Sequence, residues 1–530
     1  MVYVLVIVSF LAIYLHDLAG GSGVDLLGLS ESNGDGSLAD AGVATVLPLV
    51  ALAALVHLAC WKLAGRVDQG SVRAIRVSDR LVAVSRACAL GWHVLAVLGL
   101  GWPALVRSWT GDIVAIDELV MMTPFLLFVV AGWSACYPIE RRVNEAVLFR
   151  ELEESGAVVP PVGRWAFVVS RVRHQLLLAL VPLLAVTSWS EALDRGVRMM
   201  ERAIERRADL GVLSGLHELR DPEGVVVMAA GVVQIVGVIA IVVVMPLLLR
   251  FVWDATPLGP GALRDRLMLT CQRHGVRVAE LLVWRTHGTL VNGAVLGIVW
   301  PFRYMLLTDR LLETMSWRHV EAVAAHEVAH VRRWHIPWLG VVTLATLSSS
   351  ALLTEVIFAA LQLSEESRTA IGVGSIAFTA LAVLGVFGFV SRRFEWQADA
   401  FAAIHMSGAS RVGGSEPTQA DGARADTDFS PGAVLGGSFS DPVRSMPTVT
   451  IEGVRAMAGA LQAVADLNGL PVERSSFRHG SIATRQQKLM ELAGSPAHAL
   501  PIDRQVRAIK CAAAIVLGAM LVVGGAGVVV

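Results

Sequence analysis

The sequence predicts a mainly α-helical chain: a polytopic membrane protein whose water-facing part combines helices with a small β-sheet. Two observations predict the membrane part. Of 530 residues, 55% are hydrophobic and only 17% charged, and the mean hydropathy of +0.61 lies far above that of a water-soluble globular chain. The apolar residues also gather into runs of about 20, the length that crosses a hydrocarbon core as helix. The third observation is chemical. His326-Glu327-Val328-Ala329-His330 falls in a helix-like stretch, where helical spacing puts two imidazoles on one face, a turn apart, with a carboxylate beside them.

Taken in order, the runs fall at 2–18, 44–63, 81–106, 119–136, 176–189, 225–249, 337–361, 370–390 and 511–530, about nine spans. The first lacks a basic flank before it and reads as a retained anchor rather than a leader peptide. Between the first two runs stand Asp25, Glu31, Asp35 and Asp40 with no Lys or Arg, whereas Lys62, Arg66, Arg73, Arg76 and Arg80 follow the second. Basic loops stay on the cytoplasmic side, so counting onward places the His-Glu-x-x-His run there too. Segment 191–223 would then lie outside although it holds five arginines between 195 and 207. Its apolar positions Leu193, Val197, Met200 and Ile204 recur at helical spacing, so it reads as an amphipathic surface helix.

The organisation that follows is a transmembrane region of about six spans (1–252), then a water-facing domain delivered in pieces. Residues 253–336 hold strand-like runs at 280–284 and 294–300 and the helix with the motif. A transmembrane hairpin (337–390) separates this piece from a returning helix (391–406). A Gly-, Ser-, Asp- and Pro-rich insertion (407–447) reads as disordered, and a largely helical piece (448–508) precedes the last span (511–530). The five cysteines are scattered and show neither ligand spacing nor a disulfide framework. A net charge of −1 leaves no basic footprint for nucleic acid.

Two histidines and a carboxylate in this pattern are the apparatus of a metallohydrolase, and such a zinc site needs a third protein ligand and an open position for water. Arg333 and Ile336 stand where a metzincin would need Gly and His. A carboxylate on a later helix is the other solution. Glu395 and Asp399, four apart in Ser391-Arg392-Arg393-Phe394-Glu395-Trp396-Gln397-Ala398-Asp399-Ala400-Phe401, share a helical face. Glu395 is then the candidate ligand, and Asp399 the candidate acceptor that orients a ligand histidine. His319, His335 and His405 are set aside as non-ligands.

This pairing, with a membrane hairpin between its halves, resembles the integral-membrane zinc metalloendopeptidases that include CAAX prenyl protease 1 and HtpX. Asn292-Gly293-Ala294-Val295-Leu296-Gly297 is similar to that family's Asn-Ala-x-x-x-Gly segment, with Gly293 for the usual Ala. His479-Gly480-Ser481-Ile482-Ala483-Thr484-Arg485 is similar to its His-Pro-Ser/Thr-x-x-x-Arg segment, with Gly480 for the usual Pro. The resemblance covers roughly 253–492 without the insertion. It implies a gluzincin-like zinc metalloprotease domain with one Zn²⁺ per chain, held by His326, His330 and Glu395. It further implies Glu327 as general base, His479 as donor to the developing oxyanion, and an edge strand at Asn292 and Ala294 that pairs with the substrate backbone. Arg485 is expected to hold substrate. The expected partners are a peptide or membrane-protein substrate and the lipid bilayer, in a multi-pass protein of a bacterial inner membrane with its site facing the cytoplasm. A sensor-transducer of the BlaR type is the alternative, since Ala329-His330-Val331-Arg332-Arg333 is similar to that group locally. The stretches 394–401 and 479–485 favour the first reading.

Overall fold

The computed structural model describes residues 2–18, 35–67, 72–111, 113, 115–155, 163–209, 222–286, 290–361, 365–409 and 448–527. The insertion beyond residue 409, the acidic segment 19–34 and the last three residues lie outside them. The chain divides into two compact units, Met1–Trp253 and Asp254–Val530.

The first unit is helical throughout: α1 (Val2–Leu18), α2 (Asp35–Val67), α3 (Val72–Gly99), α4 (Trp102–Thr110), α5 (Ile116–Ser155), α6 (Arg164–Arg171), α7 (Leu177–Asp209) and α8 (Pro222–Val252), with a π-helical turn joining α6 to α7. Five stretches are long and apolar enough to cross a membrane: Ala39–Val67, Arg73–Gly99, Ile116–Val143, Arg164–Ala203 and Ala229–Val252. The third apolar run does not continue to 106 as the sequence suggested. Gly101 adopts a left-handed φ of 71°, a conformation open to glycine, and Pro103 starts the separate helix α4. The amphipathic segment after Trp189 is likewise no separate element. Beyond Pro182 no proline interrupts α7, so its arginine-rich turns continue the spanning helix. Met121, Met122 and Phe125 are fully buried at the centre of this unit, and Trp102 Nε1 donates to the Met121 carbonyl at 2.9 Å.

The second unit runs β1 (Ala255–Pro257), α9 (Ala262–Arg273), β2 (Glu280–Trp284), β3 (Gly293–Leu296), β4 (Tyr304–Thr308), α10 (Asp309–Thr314), α11 (Trp317–Arg332), α12 (His335–Leu361), α13 (Glu365–Ala409), α14 (Ile451–Leu467), α15 (Ile482–Met490) and α16 (Pro501–Gly527). Strand order is β1-β2-β4-β3, with β2 and β4 parallel and the outer pairs antiparallel. The second predicted strand is shorter than 294–300. Gly297 turns the chain at φ 97° so closely that a Cβ there would meet the Phe302 carbonyl. The fully buried β4 was not foreseen, because its apolar run Tyr304-Met305-Leu306-Leu307 lacks the alternation that marks a half-exposed strand.

Helices α12 and α13 form the hairpin, with candidate spans His335–Leu361 and Gly374–Gly408. That makes seven candidate spans among the described residues, against about nine apolar runs in the sequence. The first apolar run forms a shorter helix, and the last belongs to α16, which is not among the seven. The consequential element is α13. Its 45 residues, about 68 Å of helix at 1.5 Å per residue, carry an apolar span and the Glu395–Asp399 segment on one uninterrupted rod.

Candidate metal centre and active site

The site starts from α11. Ser316 caps its N-terminus by accepting from the His319 amide at 3.4 Å, and Val320, Ala324, Ala325 and Val328 bury one face in the core. That face is packed against α13, so His326 and His330 meet Glu395 (4% exposed) and Asp399 (2% exposed) across the interface. His326 Nε2 lies 3.2 Å from His330 Nε2 and 3.5 Å from Glu395 Oε2, and His330 Nε2 lies 3.8 Å from Glu395 Oε1. Among the described residues these three form the group whose donor atoms could hold a metal ion, all within 4.8 Å of one another. Donors about 2.0–2.1 Å from a tetrahedral zinc ion sit about 3.4 Å apart, so the spacing fits. Two imidazole nitrogens facing each other at 3.2 Å also need a proton or a cation between them.

The surrounding charges are arranged around that need. Asp399 Oδ1 approaches His326 Nδ1 at 3.0 Å, off the ring's N–H direction and therefore an ion pair rather than an aligned hydrogen bond. Burial pulls the His326 imidazole down, but Asp399 and Glu395 outweigh it and push it up to about 10. Burial instead dominates at His330, which falls to about 4. Glu327 is partly open to solvent yet enclosed by protein on most sides. Burial is the main cause that raises its carboxyl to about 7, near the range a general base needs.

The remaining predicted residues converge from elsewhere in the second unit. His479 Nδ1 lies 2.9 Å from Glu395 Oε1, with its side chain half exposed. It precedes α15 in a turn closed by reciprocal backbone bonds between Ser476 and Gly480. Gly480 sits at φ 73°, which proline cannot adopt, so the departure from the family's His-Pro is a different turn with its own geometric logic. Arg485 differs from expectation. It is buried, donates to both Asp399 oxygens at 2.8 and 2.7 Å and stands 3.5 Å from Glu395, so its guanidinium fixes the ligand helix instead of facing a substrate groove.

Strand β3 is a sheet edge beside α11. A Cβ on Gly293 would lie 2.8 Å from Val323 Cγ1 and 3.6 Å from Glu327 Cγ, so glycine lets the strand approach the motif helix. Asn292 is exposed, and its carbonyl accepts from the Thr308 amide at 3.0 Å. Antiparallel alternation then directs the Ala294 backbone toward Leu306, its partner in the register. The polar groups of Gly293 and Val295 are left on the open edge, and the Val295 amide accordingly reaches Glu327. The Ala294 main chain is thus engaged with β4, and the outward polar groups of this strand are those of its two neighbours.

Two neighbours of the site were missed. His335, set aside as a non-ligand, touches His330 at 3.0 Å, and Gln397 touches His335 at 2.9 Å. His335 is off helical register with His330, and only the left-handed residue Trp334 at φ 56° swings it back. No sequence signal announces that turn.

The model of Peptidase family M48 matches residues 283–413, the stretch that carries β3, the motif helix and the Glu395–Asp399 segment. None of the curated proteins compared with the chain matches it. Among solved structures, the crystal structure of S. mikatae Ste24p aligns over 84% of this chain and 98% of its own at 14% identity, with a TM-score of 0.32, too loose a superposition to carry an argument. The membrane-length helices and the family match together point to a membrane metallopeptidase, whose site-bearing region is similar to peptidase family M48.

Proposed function

We propose that the chain is a zinc-dependent endopeptidase that cuts peptide bonds of membrane-associated proteins at the cytoplasmic face. The observation that carries this reading is the convergence of His326, His330 and Glu395 with Glu327 beside an open strand edge. The three ligands would hold one zinc ion, which when bound acidifies water and polarises a carbonyl. Glu327, with a carboxyl that titrates near neutrality, takes the proton from the attacking water and returns it to the leaving amine. A substrate strand pairs with the outward polar groups of Gly293 and Val295, and the exposed Asn292 side chain binds its main chain. His479, next to Glu395, turns to donate to the developing oxyanion. The basic residues around the second and third spans support the cytoplasmic placement.

Glu327→Gln tests the reading. The variant should keep about one zinc per chain by elemental analysis and lose peptide cleavage by at least about 10²-fold, with fragments seen for the wild type absent by N-terminal sequencing. Retained turnover would remove Glu327 from the role of base.

A further inference from the structure

Behind His330 runs a chain of buried polar contacts that ends on α16. His335 Nδ1 lies 3.0 Å from His330 Nδ1, His335 Nε2 lies 2.9 Å from Gln397 Oε1, and Gln397 Nε2 donates to Asp503 Oδ1. His335 and Gln397 are 2% and 4% exposed. Phe394 stacks flat on the His335 ring, 4.4 Å between centroids at 8°, which holds the ring plane. Arg333 Nη2 stands 3.6 Å from Asp503 Oδ1, and Lys510 Nζ donates to the Arg333 carbonyl at 2.6 Å. The far end is thus an ion pair tied to the end of the motif helix.

Hydrogen-bond valence gives this chain one direction. A carboxylate only accepts, so the Gln397 amide must turn its NH₂ to Asp503 and its oxygen to His335. The oxygen only accepts, so His335 carries its proton on Nε2 and leaves Nδ1 bare. A bare Nδ1 only accepts, so His330 carries its proton on Nδ1 and leaves Nε2 bare, facing His326 and Glu395. Each step follows from the one before, beginning at Asp503.

We infer that His335, Gln397 and Asp503 form a positioning relay that sets the tautomer and ring orientation of His330 and so tunes the metal site from α16. This rests on the metallopeptidase reading and goes beyond it. The two ligand histidines are then oriented by unlike devices: His326 by direct apposition to Asp399, and His330 through two intervening side chains to a carboxylate on the C-terminal helix. Such outer partners typically govern metal affinity by about 10- to 100-fold.

The test uses the full chain in lipid nanodiscs, with zinc affinity read by competition against a chromogenic chelator. His335→Phe keeps the stacking shape and removes both ring nitrogens, and Gln397→Met keeps the volume and cuts the chain. Each should weaken zinc binding about 10- to 100-fold while barely moving the unfolding midpoint of the metal-free protein. His335→Phe combined with Asp503→Asn should bind zinc no more weakly than His335→Phe alone, because the relay is already cut. In the metal-free wild type, ¹⁵N imidazole shifts should show His330 protonated on Nδ1, and Gln397→Met should mix the tautomers. Wild-type zinc affinity in both single variants, additive losses in the double, or a His330 proton on Nε2 would each overturn the relay. A wild type that binds no zinc would sink the metallopeptidase reading itself, whereas equal zinc binding by wild type and variants sinks the relay alone. If His335→Phe does not fold, Gln397→Met decides.

Discussion

Arg485 shows how far a side chain's role depends on what folds around it. From the sequence it is one arginine six residues after a histidine. In the fold it is a buried guanidinium making a bidentate pair with Asp399, close to Glu395. Burial works against its charge, and the two carboxylates outweigh it and hold the proton still more firmly than usual. Removing one partner of such a pair leaves an uncompensated buried charge, a cost of about 3–5 kcal/mol. Arg485→Met should therefore lower stability by about that much in denaturant unfolding and loosen zinc with it. Arg485→Lys should recover only part of the loss, because an ammonium cannot make the planar two-toothed contact. A substrate anchor would behave differently: the stability would hold and KM alone would rise. The same contrast explains what was legible at this scale. His326, Glu327 and His330 follow from spacing within one helix, as does the pairing of Glu395 with Asp399. The contacts of Arg485, His335 and Asp503 cross 62 to 106 residues of chain or pass through a left-handed turn, and local pattern carries no record of them.

The elements that hold the ligands are clamped by a second polar chain, remote from the metal. Glu321 on α11 accepts from His405 Nε2 on α13 at 3.1 Å, and His405 Nδ1 meets His274 Nε2, just past α9, at 2.9 Å. All three are buried, so the chain fixes the register of the two ligand helices about one and a half turns from His326. Burial raises the Glu321 carboxyl, but His405, with help from Arg266 and Arg273, outweighs it and leaves it below the ordinary value of 4.5. A carboxyl depressed in the folded state contributes stability above its unfolded pKa and loses it as pH falls through the folded one. Glu321→Gln should thus cost about 1–2 kcal/mol at neutral pH through loss of a charge-assisted bond. The gap between variant and wild type should narrow as pH falls below 4.5 and close once it passes the lowered folded value, where the wild-type carboxyl is protonated as well. Unfolding midpoints across that range measure it, and a gap independent of pH would show that the clamp acts by packing alone. At this scale the sequence announced helices better than strands. Helix α11 and strand β2 stand where spacing and β-branching put them. Strand β4 stayed hidden because burial on both faces erases alternation, and β3 ends early because Gly297 approaches the Phe302 carbonyl.

At the scale of the whole molecule, α13 joins membrane to chemistry: one rod carries the apolar stretch that begins at Gly374 and, about six turns along it, the ligand carboxylate Glu395. A catalytic centre built on the end of a membrane helix is held near one face of the bilayer, and the side is set by the loops rather than by the site. The sequence argument for that side is the contrast between an acid-only first loop and the five basic residues around the second. Those charges are worth most next to short loops, as between α2 and α3. The prediction is a cytoplasmic site. Glu473 is exposed in the segment that leads to His479, and its replacement by cysteine in a chain whose five native cysteines are changed to serine or alanine offers a direct reading. A membrane-impermeant maleimide should leave Glu473→Cys unlabelled in intact cells and label it once the membrane is permeabilised, while zinc content and cleavage remain those of the parent. Labelling in intact cells would put the site on the outer face. The crossings between the basic α2–α3 loop and α11, which are the candidate spans of α3, α5, α7 and α8, would then be odd in number rather than even, with the stretch that runs from Arg164 through the π-helical turn into α7 the element to re-examine.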